Sequence, residues 1–207
     1  MTIFRWDAEN KRIVEFYDGL VERYGIDPRA LDWGSRESQE LRFSALTGIG
    51  ELGGTTILDV GCGMADLLDY LQRNRTNVDY TGYDLSPAMV NLARQRFPQI
   101  RLEVCDLMAE PEPSLRFDYV LSSGIFYLRQ AMPMVYLEAM VRRMFALCRR
   151  GVAFNTLSTK ALQRHGDEFY ADPAEVLTIC LEITPRAVLR HDYLPNDFTV
   201  YLYRERE

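Results

Sequence analysis

The chain has 207 residues, 47% of them hydrophobic and 26% charged, which is enough for one well-filled core and too little for two full α/β domains. Its formal net charge of -6 argues against a broad electrostatic footprint for nucleic acid. No stretch is long and apolar enough to span a membrane, and Cys62, Cys105, Cys148 and Cys180 form no CxxC pair, so neither a metal site nor a disulfide frame is expected.

The start of the chain, Met1 to Asn10, has no apolar run behind a basic segment, so no secretory leader is expected and a cytoplasmic protein is the default. Residues 8 to 24 carry Ile13, Phe16, Tyr17, Leu20 and Tyr24 at amphipathic helical spacing, ended by Gly25 and Pro28. A second helix is expected from about Glu37 to Leu46, with Ser35 or Ser38 as its cap. Gly48, Gly50, Gly53 and Gly54 then mark a loop.

From there strands and helices alternate. Strands are expected over Thr55 to Val60, Val78 to Tyr83, Ile100 to Cys105, Phe117 to Ser122 and Val152 to Leu157. Helices run from about Ala65 to Arg73, from the Ser86-Pro87 start to Phe97, and from Pro133 through the stripe Leu137, Met140, Val141, Met144, Phe145 and Cys148. Arg149 and Arg150 suit the last helix's C-terminal dipole, and Gly151 suits its C-cap. A polar loop to about Tyr170 and a short helix from Pro173 to Cys180 follow. Two strands, about Ala187 to Tyr193 and Phe198 to Tyr203, close the chain. This predicts an α/β fold: a doubly wound, Rossmann-like, mostly parallel sheet of seven strands with an antiparallel C-terminal strand and a helical N-terminal extension. Ligand is then expected outside the carboxyl ends of the strands.

The run Ile57-Leu58-Asp59-Val60-Gly61-Cys62-Gly63-Met64-Ala65-Asp66 reads as a buried strand, a glycine turn and a helix start. Gly61 and Gly63 let backbone approach a ligand closely. About 20 residues on, Tyr83-Asp84-Leu85 ends the next strand in an acid, the spacing of a ribose-binding carboxylate. Cys105-Asp106-Leu107 closes the third strand. Asp66 stands where a dinucleotide fingerprint has its third glycine, and its charge would oppose a pyrophosphate. Cys62 reads as a small loop residue rather than a nucleophile, although a following helix would lower its pKa.

With these blocks in order, residues 55 to 203 resemble the class I S-adenosylmethionine-dependent methyltransferases. The resemblance implies S-adenosyl-L-methionine as cofactor and S-adenosyl-L-homocysteine as product. It also implies an antiparallel strand between the fifth and sixth, and a methyltransferase domain over 55–207 forming one unit with a helical cap over 1–54. By resemblance, Asp84 accepts from the ribose hydroxyls, Asp106 accepts from the adenine amino group and Leu107 offers its backbone N–H to the ring. Asp59 orders the glycine loop or meets the methionine amino group, unless it merely caps the following helix. Cys62, Tyr83, Leu85, Cys105 and Ser122 complete the expected cofactor wall, with Arg42 for the methionine carboxylate.

Acceptor residues are less legible, because in-line methyl transfer needs alignment and water exclusion rather than a fixed triad. Candidates are an N-terminal lid (Tyr17, Trp33, Arg36, Gln39, Arg42), the segment from Ser122 to Tyr127, and the loop from Ser158 to Tyr170 with the tail. Tyr127, His165 and His191 are the candidate catalytic residues, against packing or solvated roles for each. The segment after the fourth strand lacks the Asn/Asp-Pro-Pro-aromatic tetrapeptide of many amino-group methyltransferases. The reading is a small-molecule methyltransferase, monomer or homodimer, with no nucleic-acid or membrane partner. Alternatives are an RNA or protein acceptor, with Arg142, Arg143, Arg149 and Arg150 as a basic stripe, an NAD-dependent oxidoreductase, or a module that binds the cofactor without turnover.

Overall fold

The computed structural model describes residues 6–31, 34–110 and 116–205. The elements are α1 (Asp7–Tyr24), a 3-10 turn (Pro28–Leu31), α2 (Arg36–Thr47), β1 (Thr56–Val60), α3 (Asp66–Arg73), β2 (Asp79–Asp84), α4 (Pro87–Arg96) and β3 (Arg101–Val104). They continue with β4 (Phe117–Ser122), α5 (Pro133–Leu147), β5 (Cys148–Leu157), α6 (Pro173–Ile183), β6 (Ala187–Leu194) and β7 (Asp197–Tyr203). One seven-stranded sheet has the order β3-β2-β1-β4-β5-β7-β6. Strands β1 to β5 pair in parallel, and β7 is antiparallel to both β5 and β6. The order reverses between β1 and β4, which opens a crevice at their carboxyl ends.

Alternation within the strands divides two cores. Ile57, Leu121 and Ala153 face Leu67, Leu68 and Leu71 of α3, Val90 and Ala93 of α4, and Phe43 and Leu46 of α2. Leu58, Val120, Val152 and Phe154 face Leu137, Met140, Val141 and Met144 of α5 and Val176 and Cys180 of α6. Apolar side chains on both faces of the central strands explain why their sequences read as short continuous hydrophobic runs. Ser35, Ser86 and Asp172 each accept a backbone N–H at the start of α2, α4 and α6.

Three expectations need correction. Helix α5 stops at Leu147 and β5 begins at once, because Cys148 is extended and pairs with Phe117. Arg149 and Arg150 therefore lie in a strand, and Gly151 is not a helix cap. An added Cβ at Gly151 would stand 2.7 Å from the Leu202 carbonyl of β7, so sheet packing selects glycine there. Helix α6 continues past Cys180 to Ile183. On α1, Phe16 is 38% exposed, whereas Tyr17, Leu20, Val21 and Tyr24 pack on Ala30, Met64 and Met89.

Candidate functional site

A cavity of about 610 Å3 opens at the carboxyl ends of β1, β2, β4 and β5. Its floor begins with β1, where Asp59, Gly61, Cys62 and Gly63 all line it. Gly61 and Gly63 have φ of +74° and +51°, so the turn uses backbone conformations that side chains disfavour. A Cβ on Gly61 would also collide with Ile125 at 2.1 Å. Ala65, just before α3, has φ +61° and is fully buried. Its backbone is left-handed, a conformation that glycine adopts at less cost than alanine.

Asp84 ends β2 with both oxygens engaged: Oδ2 accepts from Gly63 N–H at 2.8 Å and Oδ1 from Ser86 N–H at 2.9 Å. The acid thus ties the glycine turn to the start of α4. Burial pushes its pKa up, and these N–H donors counter the shift. Asp59 is 3% exposed, and Oδ2 accepts from the Tyr80 hydroxyl at 2.5 Å. Burial raises its carboxyl to about 7, with the Tyr80 bond opposing. Cys62 does not gain thiolate character from α3, because burial raises its pKa far above the usual thiol range. Burial likewise raises Cys105 to about 11.

Tyr83, Leu85, Cys105, Asp106 and Leu107 line the same cavity. Asp106 accepts from its own loop at Met108 N–H (2.9 Å) and from Asn10 of α1, whose Nδ2 lies 2.7 Å away. Ser122 stands apart: it is fully buried, donates to the Val60 carbonyl at 2.8 Å and does not line the cavity. Its hydroxyl joins β4 to β1. Arg42 does line the cavity, but it forms a buried ion pair with Asp197 at 2.9 Å and bonds the Ser38 carbonyl at 3.3 Å. Asp66 pairs with Arg96 at 2.5 Å and accepts from Gln39 at 3.1 Å.

The far half of the cavity joins α1, the β4–α5 loop and the β5–α6 loop. Tyr17 and Tyr127 meet there, hydroxyl to hydroxyl, at 3.3 Å. The β5–α6 loop is anchored by Phe169 N–H to the Tyr127 carbonyl (2.7 Å) and by a bridge between Ser158 and Ala171. Its exposed stretch brings Leu162, Gln163 and His165 to the mouth, with Glu168 and Tyr170 behind. His191 is elsewhere. It lies on β6 edge-to-face with Phe198, outside the cavity lining, and its Nε2 is buried without a partner among the described residues. Arg36 is exposed and pairs with Glu40, and Trp33 lies outside the described residues.

Sequence reasoning missed four contributors. Asn10, Asp18, Tyr80 and Thr156 are a helix polar residue, a helix acid, a strand tyrosine and a strand threonine, with no motif to single them out. Asp18 accepts from the Ser86 hydroxyl at 2.5 Å. Thr156 lines the cavity, and its Oγ1 is buried without a partner among the described residues. A polar residue three and seven positions before Ile13 and Tyr17, on the face of α1 that they share, is the only signal, and it applies to Asn10.

Of the arginines weighed for an RNA stripe, Arg142, Arg149 and Arg150 are exposed and Arg143 is half-buried. Arg142 pairs with Glu138 and Glu182, Arg143 bonds the carbonyls of Leu107 and Glu110, and Arg150 pairs with Asp118. No helix among the described residues is long and apolar enough to cross a membrane.

A family model described as a methyltransferase domain matches residues 57–151. A Mycobacterium tuberculosis protein whose name describes it as a methyltransferase is 36% identical over 152 residues, covering 70% of this chain and 90% of that protein. A malonyl-[acyl-carrier protein] O-methyltransferase of Paenibacillus is 35% identical over 77 residues, 34% of this chain and 28% of its own length. Magnesium protoporphyrin IX methyltransferase of Synechocystis, crystallised with bound cofactor, superposes with a TM-score of 0.69 at 16% identity, over 99% of this chain and 100% of that one. The last likeness is one of fold.

Proposed function

We propose that this chain, which belongs to the class I S-adenosylmethionine-dependent methyltransferases, methylates a small-molecule acceptor. The observation that carries the acceptor class is the single cavity of about 610 Å3, shared by cofactor and acceptor and lined by residues of α1, α2 and the anchored β5–α6 loop.

The residues fit the cofactor. Asp59 sets a carboxyl beside the glycine turn, where the methionine portion would lie, and Asp84 and Asp106 set acceptors for the ribose hydroxyls and the base. Asp66, at the first turn of α3 where a pyrophosphate would sit, has its charge offset by Arg96 and does not by itself decide against a dinucleotide. One buried polar atom of the lining, Thr156 Oγ1, has no partner among the described residues, as expected of a wall that is completed by a ligand. When bound, S-adenosylmethionine supplies a methyl group already activated by its sulfonium. In this reading Asp84 holds the ribose hydroxyls, Asp106 and the Leu107 N–H hold the base, and the Gly61–Gly63 turn approaches the methionine portion.

The chain's remaining task is alignment and exclusion of water. Ile125 and Leu128 supply apolar wall, and the Tyr17–Tyr127 hydroxyl pair orients the acceptor from α1 and the β4–α5 loop. Tyr127 is the preferred catalytic candidate, because its hydroxyl can take a hydrogen bond from an acceptor O–H or N–H. His165, at the mouth, is the second, as a base at its imidazole nitrogen. His191 is set aside, since it does not reach the cavity.

The test follows S-adenosylhomocysteine release when the protein and its cofactor meet fractionated cell extract. Turnover with the low-molecular-weight fraction is expected. Turnover confined to the macromolecular fraction, abolished by nuclease or protease, would replace the small-molecule reading with an RNA or protein one.

A further inference from the structure

We propose that the acceptor carries an ammonium group and that Glu168 holds it. The proposal rests on reading this cavity as the site of a small-molecule methyltransferase. Glu168 lies in the β5–α6 loop, half-buried, and lines the far half of the cavity. Its backbone is fixed. An antiparallel bridge sets it opposite Leu128, its N–H bonds the His165 carbonyl at 3.3 Å, and its carbonyl accepts from Arg129 Nε at 3.4 Å. Its side chain is fixed too: Oε2 accepts from the Tyr170 hydroxyl, which in turn accepts the His165 N–H at 3.1 Å. Glu168 therefore stands, preorganised, across from the β4–α5 loop that carries Tyr127.

Charge decides what this residue can hold. Among the described residues no guanidinium or ammonium pairs with the Glu168 carboxylate. Arg129 uses its Nε on the Glu168 carbonyl, Arg164 bonds the Thr159 carbonyl and packs over the Tyr170 ring, and neither lines the cavity. Besides the phenols and the groups of the cofactor half, the titratable lining residues are Arg42, Asp197 and His165. Arg42 and Asp197 pair at 2.9 Å and offset each other. His165 is exposed at the mouth, where solvent screens it. The acids of the cofactor half add to a negative field. An anionic acceptor would meet that field, whereas a cation gains Glu168 and the rings of Tyr17, Tyr127 and Tyr170, since phenol faces attract positive charge. A protonated nitrogen has no lone pair for the methyl, so in this role it is a handle and not the nucleophile.

The experiment takes the low-molecular-weight extract that supports S-adenosylhomocysteine release and passes it, at neutral pH and low salt, over a sulfonate cation exchanger or a quaternary-amine anion exchanger. Acceptor activity should be retained by the first and pass the second. The desalted eluate then serves as acceptor for wild type and for Glu168→Gln, which keeps an oxygen for the Tyr170 hydroxyl. The variant should raise KM about tenfold, the size of one hydrogen bond to a charged group, with kcat and S-adenosylhomocysteine affinity within about twofold. Should that variant unfold, the wild-type KM replaces it as the readout: it should rise with ionic strength, and a KM that does not move overturns the proposal. Retention by the anion exchanger, or passage through both, overturns the proposal and leaves the small-molecule reading standing. So does a folded Glu168→Gln chain with unchanged KM, or one whose loss falls on kcat or cofactor affinity. A low-molecular-weight fraction that supports no turnover overturns both.

Discussion

At the scale of single residues, the acids at strand ends were legible and their partners were not. Asp84 and Asp106 can be read as ligand acids because each follows an apolar strand at a fixed distance from the glycine turn. Nothing local announces that Asp84 also holds Gly63 and Ser86, or that Arg42 is claimed by Asp197, 155 residues away. Long-range pairing is decided by the packed fold, so the expectation that Arg42 is available for a carboxylate rested on position alone. Asp84→Asn keeps the size and one acceptor but removes the charge and the second acceptor. It should weaken S-adenosylhomocysteine binding by about 1–3 kcal/mol, read by calorimetry. Unchanged affinity in a folded variant would remove the ribose assignment. Asp59 makes a separate prediction. Burial lifts its carboxyl to about 7, against about 3.9 in an unfolded chain. The folded state binds the proton more tightly, so this contribution to stability is complete below about pH 4 and is lost as pH rises through about 7. Asp59→Asn, which retains an oxygen for the Tyr80 hydroxyl, should flatten that decline in thermal midpoint. A decline of the same steepness in the variant would place the titration elsewhere.

At the scale of elements, helix starts were the most legible feature. Ser35 and Ser86 are short polar side chains placed where an N-cap must accept a backbone N–H, and each does so; Asp172, which the sequence reading did not single out, does the same at α6. The α5–β5 junction was not legible. The periodic stripe of α5 ran into Cys148, which is apolar and suits a buried strand equally well, so periodicity could not mark the change. Glycine at position 151 answered to the Leu202 carbonyl across the sheet rather than to a helix end. The turn into α3 gives a prediction of its own. Ala65 sits at φ +61°, which costs an L-residue about 1–2 kcal/mol. Ala65→Gly should relieve part of that and raise the thermal midpoint by about 2–4 °C. A fall would mean that the buried methyl contributes more than the backbone costs.

At the scale of the whole molecule, strand–helix alternation was enough to predict a doubly wound sheet with its crevice at the carboxyl ends, because each βαβ unit constrains the next. The cofactor half of the cavity follows from that topology. The acceptor half does not, since its walls come from α1, α2 and the β5–α6 loop, which meet only in the folded chain. Loops that carry specificity are bound by few packing rules, so their sequence says little until their anchors are seen. The anchors here are backbone bonds such as Phe169 N–H to the Tyr127 carbonyl, which no side-chain pattern encodes. The cavity's acids give the account its central claim, that it holds a cationic adenosyl cofactor without a phosphate. Calorimetric titration of the purified chain with S-adenosylhomocysteine, with NADH as control, tests that claim most directly. Saturable one-to-one binding of S-adenosylhomocysteine, with none of NADH, is the predicted result, and binding of NADH alone would contradict it.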